Sequence, residues 1–179
     1  MKIYILISVF FIAFISCKNK TQEENIKKID SLYSVSNDLI NKIDSIDLKT
    51  ISSYYEAIKQ NNLVFKEQLT AFPKDLSIKN KLTQYGYTEK VFKKTPKKLA
   101  ICYTDIEMSL LQLDALRKDV EHELLIDEDF AKYFNDEKKI LDNLNSEVNT
   151  LIDVLDKNSE LYIELMPDIQ AFVDSLIGI

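Results

Sequence analysis

The fold is decided by the stretch from Phe130 to Leu176, which reads FAKYFNDEKKILDNLNSEVNTLIDVLDKNSELYIELMPDIQAFVDSL. Large apolar residues recur along it at alternating spacings of four and three, and only Glu137 and Asn158 interrupt the series. Side chains at this spacing lie on one face of an α-helix, and a series sustained over several heptads is typical of a coiled coil. The stretch therefore predicts one long amphipathic helix.

The composition of the whole chain points the same way. Its 179 residues include two Gly and three Pro, and 46% are hydrophobic while 29% are charged. A β-sandwich or barrel needs a turn roughly every 8–12 residues, which so few turn-forming residues do not support. The apolar fraction also excludes a disordered chain. We predict an all-α fold, an elongated antiparallel helical bundle or coiled coil.

Two readings are open for the first part of this bundle. Residues 22–72 contain no Gly or Pro, and their apolar stripe shifts in phase by one residue after position 51. A straight helix drifts by about 20° per heptad, so one continuous helix explains the shift and the bundle has three long helices. A break near residue 46, with Asp47 as the N-cap, would instead give four.

The segment after this helix is predicted to be short, irregular and basic. Pro73 ends the preceding helix because it lacks a backbone N–H and restrains the residue before it. Residues 74–96 hold Gly86 and a Thr95-Pro96 pair. Thr is a good N-cap and Pro suits the first helical position, so we expect the next long helix to begin at Pro96.

The N-terminus reads MKIYILISVFFIAFISC over residues 1–17. A single Lys precedes an apolar run that is shorter than the roughly 20 residues a spanning helix needs, but has the length of a signal-peptide core. The run ends Phe14-Ile15-Ser16-Cys17. This ending resembles the lipobox of bacterial lipoproteins, in which a peptidase cuts before a Cys whose thiol carries diacylglycerol.

The resemblance implies a domain organisation and a location. Residues 1–16 would be a removed signal peptide, 17–21 a tether carrying palmitate-type acyl chains on Cys17, and 22–179 a single helical-bundle domain. In such lipoproteins Asp after the modified Cys favours retention in the inner membrane. Lys18 in this place implies an outer-membrane protein of the cell envelope that faces the periplasm. The oligomeric state is left open.

With Cys17 lipidated, Cys102 is the one cysteine left, so no intramolecular disulfide is possible. Its place beside the apolar stripe of the third quarter of the chain favours a small buried core residue. The alternatives are a reactive nucleophile and an intermolecular crosslink.

The sequence offers no catalytic or metal-binding constellation. His122 is the one histidine, and the pair Asp119 and His122 is a single approximation to the Glu-x-x-His motif that di-iron bundles need twice. A zinc site of Cys and His lacks ligands, and no Gly-rich phosphate loop is present. We predict a protein that is not an enzyme and has no catalytic residues, metal or cofactor. A net charge of −6 and a single Arg also disfavour nucleic acid.

A possible partner face lies in the basic segment. Residues 74–98 carry eight Lys against Asp75 and Glu89. The predicted face comprises Lys90, Lys93, Lys94, Lys97, Lys98, Tyr85, Tyr87 and Phe92. It would bind acidic lipid headgroups, an envelope glycan or an acidic protein. Alternatively, acidic helix ends neutralise these lysines, or water solvates them.

The functional prediction is therefore a lipid-anchored, non-catalytic interaction or scaffold module of the envelope. Its contact with the membrane would be the lipid on Cys17, and the sequence does not identify its partner. The alternative is a carrier or chaperone that sequesters an amphipathic ligand between helices. An envelope-acting enzyme is the weaker third hypothesis.

Overall fold

A computed structural model describes the backbone of residues 2–69 and 73–178, and the side chains of residues 20–69 and 73–178. It contains four helices: α1 (Lys2–Asp44), α2 (Leu48–Gln68), α3 (Leu76–Glu121) and α4 (Asp127–Ile177). No strand occurs in the described ranges, so the predicted all-α helical bundle is confirmed. The side chain of Cys17, the predicted lipidation site, lies outside the described residues.

Packing divides the chain into two compact units. Unit 1 comprises Met1–Asn41 and Tyr103–Ser146, which are most of α1, the later part of α3 and the first part of α4. Unit 2 comprises Lys42–Cys102 and Glu147–Ile179, which contain α2, the first part of α3 and the rest of α4. Each unit therefore combines helical segments that are far apart in sequence.

In unit 1, α3 runs antiparallel to α1. Arg117 Nη1 pairs with Asp30 Oδ1 at 2.7 Å, and the Tyr33 hydroxyl donates to Asp114. Such exposed pairs contribute little each, about 0–1 kcal/mol. Burial supplies the larger share of the stability. The fully buried apolar side chains of this unit are Ile29, Leu39, Ile106, Leu113 and Leu141.

The continuous first helix favoured by the apolar stripe was wrong, and the four-helix alternative holds. The chain turns at residues 45–47, and Asp47 caps α2. Asp47 Oδ1 accepts from the Thr50 backbone N–H at 3.0 Å, and Asp47 Oδ2 accepts from Thr50 Oγ1 at 2.7 Å. This turn, and not helical drift, produces the one-residue phase shift.

The predicted irregular segment was also wrong, because α3 is helical from Leu76 and continues through Pro96. Thr95 is not a cap: its Oγ1 donates to Val91 O at 2.9 Å inside the helix. Pro96 is exposed, and Phe92 and Leu99 are buried on either side of it. Their packing outweighs the roughly 3 kcal/mol that an interior Pro costs a helix.

Buried positions recur along α3 at alternating spacings of three and four across that Pro. They are Tyr85, Thr88, Phe92, Thr95, Leu99, Cys102, Ile106, Ser109, Leu113, Leu116 and Val120. The buried position of Cys102 confirms its prediction as a core residue.

Most of the apolar series of α4 packs inward, although Phe134, Phe172 and Leu176 are half-buried and Val173, outside the series, is buried. Its buried members are Phe130, Leu141, Leu144, Val148, Leu151, Leu155, Tyr162, Leu165 and Ile169. Of the two interruptions, Glu137 is buried, and burial raises the pKa of its carboxyl. Asn158 is partly buried, and its Nδ2 donates to Val154 O at 2.7 Å.

The C-terminus of α3 closes in a Schellman motif. The backbone N–H of Glu123 donates to Val120 O at 3.2 Å, and that of Leu124 donates to Asp119 O at 2.8 Å. Glu123 has φ 56°. The residue at this position of a Schellman motif is usually Gly, because in the left-handed conformation a Cβ crowds the backbone.

Changing Glu123 to Gly should therefore stabilise the chain relative to Glu123→Ala. Both changes remove the same side-chain contacts, and only Ala keeps the Cβ. We expect Glu123→Gly to be more stable by about 1 kcal/mol, a rise in melting temperature of about 2–4 °C for a chain of this size. Thermal unfolding followed by circular dichroism measures the difference. Equal melting temperatures would mean that the strain at φ 56° is absent.

Candidate functional site

The structure separates the eight residues of the predicted partner face. The five lysines and Tyr87 are exposed on α3. Tyr85 and Phe92 are 2% and 1% exposed, so their assignment to a surface face was wrong. Successive residues of a helix are turned by about 100°, which places positions 85 and 92 on the core side and position 87 away from it.

Tyr85 has a structural role in the core of unit 2. Asn61 Nδ2, from α2, donates to Tyr85 Oη at 2.9 Å, and the hydroxyl lies 3.9 Å from Met166 Sδ. The ring stacks on Tyr162 with their centroids 6.1 Å apart. Burial raises the pKa of Tyr85 to about 12. The sequence pattern missed Asn61, because a lone Asn within an apolar stripe is more often exposed than buried.

Changing Tyr85 to Phe should destabilise unit 2 without altering its shape. The change leaves the buried Asn61 amide without its acceptor, which costs about 1–3 kcal/mol. Tyr87→Phe removes the same atom from an exposed ring and should stay within about 0.5 kcal/mol of the parent. Urea unfolding of both variants gives the comparison. Equal unfolding midpoints would contradict the buried hydrogen bond.

Three of the five lysines border a groove between α3 and α4. Lys90, Lys94 and Lys98 follow one another at helical spacing, and we call them the groove row. The groove has a volume of about 200 Å³ and is lined by Tyr87, Lys90, Val91, Lys94, Thr95 and Lys98 of α3 and by Leu151 and Val154 of α4. Lys90 Nζ lies 5.4 Å from the centroid of the Tyr87 ring. The floor of the groove is thus apolar and its α3 wall is cationic.

The other two lysines, Lys93 and Lys97, form an outer row that does not line the groove. They and Lys98 lie well inside α3. A helix that began at Pro96, as the sequence predicted, would have put Lys97 and Lys98 in its first turn; that helix start was wrong.

The ion pairs of unit 2 that the structure shows involve two other lysines. Lys81 pairs with Asp168, and Lys59 with Glu56. Neither the groove row nor the outer row forms a salt bridge with any residue in the described ranges. Internal neutralisation by acidic helix ends therefore has no ion pair to support it in this part of the chain.

The groove presents cationic donors beside apolar side chains. Each lysine ammonium offers three hydrogen-bond donors and no acceptor. Val91, Leu151 and Val154 offer contact to an apolar group.

His122, the one histidine of the chain, is exposed. Across the described residues, no group of three or more His, Cys, Asp or Glu side chains is placed to hold a metal ion.

Comparison with protein-family models, curated proteins and solved structures gives no match. Over the residues whose side chains are described, none of the helices carries an apolar stretch that would reach across a bilayer.

Proposed function

We propose that this chain is a lipid-anchored protein of the bacterial cell envelope, held in the outer membrane by acyl chains on Cys17. Its helical bundle acts as a non-catalytic interaction module that binds an anionic envelope partner. The anchor is supported by the lipobox-like ending Phe14-Ile15-Ser16-Cys17 after a short apolar run. Several acyl chains, at about 0.8 kcal/mol for each buried methylene, would hold the protein durably.

The observation that carries the interaction role is the groove row. Lys90, Lys94 and Lys98 stand beside an apolar floor and have no salt bridge among the described residues. A partner that brings anionic groups and an apolar portion would pair with the ammonium groups and cover Val91 and Leu151. The whole chain has a net charge of −6, so most of its surface repels anions. An anionic partner would therefore bind at this local cationic wall.

Two double variants on the same helix test this role. Lys94→Gln with Lys98→Gln removes two charges from the groove row, and Lys93→Gln with Lys97→Gln removes two from the outer row. Purified residues 18–179 are titrated at low salt with phosphatidylglycerol vesicles, an anionic glycan extract of the envelope, and an acidic polypeptide. We expect the groove double variant to weaken binding about tenfold or more, the equivalent of about 1.4 kcal/mol.

The outer double variant should bind more nearly as the parent does, because its lysines do not border the groove. Binding of the parent should also fall as salt rises, since exposed charges are screened over about 8 Å at physiological ionic strength. Circular dichroism checks that both variants keep their helicity. Equal loss in the two doubles, or no binding of any probe at low salt, would contradict the proposed interaction role.

A further inference from the structure

The turn between α3 and α4 leaves apolar side chains uncovered. In a Schellman motif the residue after the left-handed position frequently packs against the last helical turn. Here that residue is Leu124, which is 69% exposed, and Ile126 nearby is 64% exposed. They are the two most exposed large apolar side chains described in unit 1. The packing within unit 1 gives no reason for their exposure.

The part of α1 around Gln22 is bound to the end of α3, next to this turn. Gln22 Nε2 donates to Val120 O and to Glu121 O, both at 3.0 Å. These carbonyls belong to the last turn of α3, where backbone acceptors lack helical partners. A cavity of about 400 Å³ joins the elements and is lined by Thr21, Gln22, Asn25, Val120, Glu123, Leu125, Ile126, Asp127 and Phe130. The turn and the part of α1 around Gln22 therefore lie side by side.

Cys17 precedes Gln22 by five residues. Five residues span at most about 18 Å even when fully extended. An acyl anchor on Cys17 would therefore hold Gln22 within about 18 Å of the anchored residue, and the α3–α4 turn beside Gln22 near the membrane surface. The polar headgroup layers together add about 10–15 Å to the thickness of the hydrocarbon core. The exposed Leu124 and Ile126 are thus within reach of the interface.

The charge of the segment around the turn indicates which kind of lipid surface it can approach. Residues 119–131 contain six acidic residues and no Lys or Arg. An anionic surface would repel this segment, because the negative potential of anionic lipids extends over a Debye length. Zwitterionic headgroups carry an ammonium or choline cation that can sit near the carboxylates.

We infer that Leu124 and Ile126 insert into the headgroup region of a zwitterionic bilayer, beside the point where the chain is anchored. The inference rests on the lipid anchor of the proposed function. It adds a second contact between protein and membrane, which limits the orientations that unit 1 can take about its anchor.

A single introduced Trp tests the contact, because the chain has none of its own. The full-length lipidated protein carrying Leu124→Trp is reconstituted into vesicles of phosphatidylethanolamine and phosphatidylcholine, with and without brominated acyl chains. The matched control is Leu111→Trp, a position of α3 in the same unit that is 63% exposed. A mass spectrum of each preparation reports the modification of Cys17.

We expect the indole emission of the Leu124→Trp variant to shift to the blue and to lose more than about half of its intensity to the brominated lipid, as for an indole at the headgroup level. The emission of the Leu111→Trp variant should stay unquenched. Adding phosphatidylglycerol should reduce the quenching at position 124, and salt should restore part of it.

Equal, weak quenching at the two positions of a lipidated protein would overturn the inference and leave the anchor standing. A blue shift without quenching would overturn it too, since position 124 would then lie in a protein contact such as a second copy of the chain. An unmodified Cys17 without quenching would remove both proposals. Quenching at position 124 of an unmodified chain would uphold the membrane contact and remove the anchor alone.

Discussion

Changing Cys17 to Ser should abolish incorporation of a palmitate analogue and release the protein from the membrane fraction. The acyl chains on this thiol provide the proposed attachment, and each buried methylene contributes about 0.8 kcal/mol. One chain of myristoyl length binds a membrane only marginally, and two or more hold it stably. The loss should therefore amount to several orders of magnitude in membrane affinity. Metabolic labelling followed by membrane fractionation measures both effects.

The chain supplies its own control, because Cys102 is the other cysteine. Cys102→Ser should keep the label and the membrane location. Mass spectrometry of the parent protein should find a chain that begins at a lipid-modified Cys17. An unmodified Cys17, or a mature chain that still begins at Met1, would end the lipoprotein proposal.

Placing a carboxylate at position 102 should destabilise the chain strongly. Cys102 is 6% exposed on the buried face of α3. An uncompensated buried charge costs about 3–5 kcal/mol, while Cys102→Ala should cost about 1 kcal/mol. Burial raises the pKa of a carboxyl, so the folded variant binds a proton more readily than the unfolded one. The deficit of Cys102→Asp should therefore shrink at acidic pH and grow as the pH rises towards neutrality.

The neighbouring residue gives a matched control for this change. Ile101 is half exposed, so Ile101→Asp should shift the free energy of unfolding by about 0.5 kcal/mol or less. Urea unfolding at neutral and acidic pH compares the two variants. In addition, maleimide should label Cys102 slowly until denaturant is added. A Cys102→Asp variant as stable as Ile101→Asp, or rapid labelling of the native protein, would contradict the core position.

The face of α4 that packs inward could be predicted because its signal is redundant. Large apolar residues fill nearly every core position from Phe130 onward, and single polar positions such as Glu137 do not hide the period. The buried face of α3 is harder to see. Thr88, Thr95 and Ser109 take core positions on that helix, and small hydroxyl residues look like surface residues in a sequence.

The two mistaken boundaries have opposite causes. A Thr-Pro pair starts many helices, but here the packing of Phe92 and Leu99 carries α3 past it. At residues 45–47 the apolar pattern alone was insufficient, because helical drift and a turn produce the same phase shift. The turn is identified by a local interaction, in which the Asp47 side chain accepts from the Thr50 backbone N–H.

The positive charge of the partner face could be predicted, but not which of its side chains point to the core and which to the surface. Five lysines between positions 90 and 98 are evident in the sequence. Their division into a groove row and an outer row depends on the phase of α3, and the segment was expected to be irregular. The same error placed Tyr85 on the surface, since without a helix no residue of this segment has a defined inner side.

The interleaved composition of the two units sets an order for their completion during synthesis. Unit 1 needs Tyr103–Ser146 to pack against the residues up to Asn41, and the intervening stretch belongs to unit 2. At about 5–20 residues per second, a ribosome takes roughly 3–12 seconds to make that stretch. During this interval the apolar side of α1, with Ile29, Leu32 and Leu39, has no partner from its own unit. Unit 1 therefore cannot be completed before Ser146 has been made, and unit 2, which needs Glu147–Ile179, is completed after it.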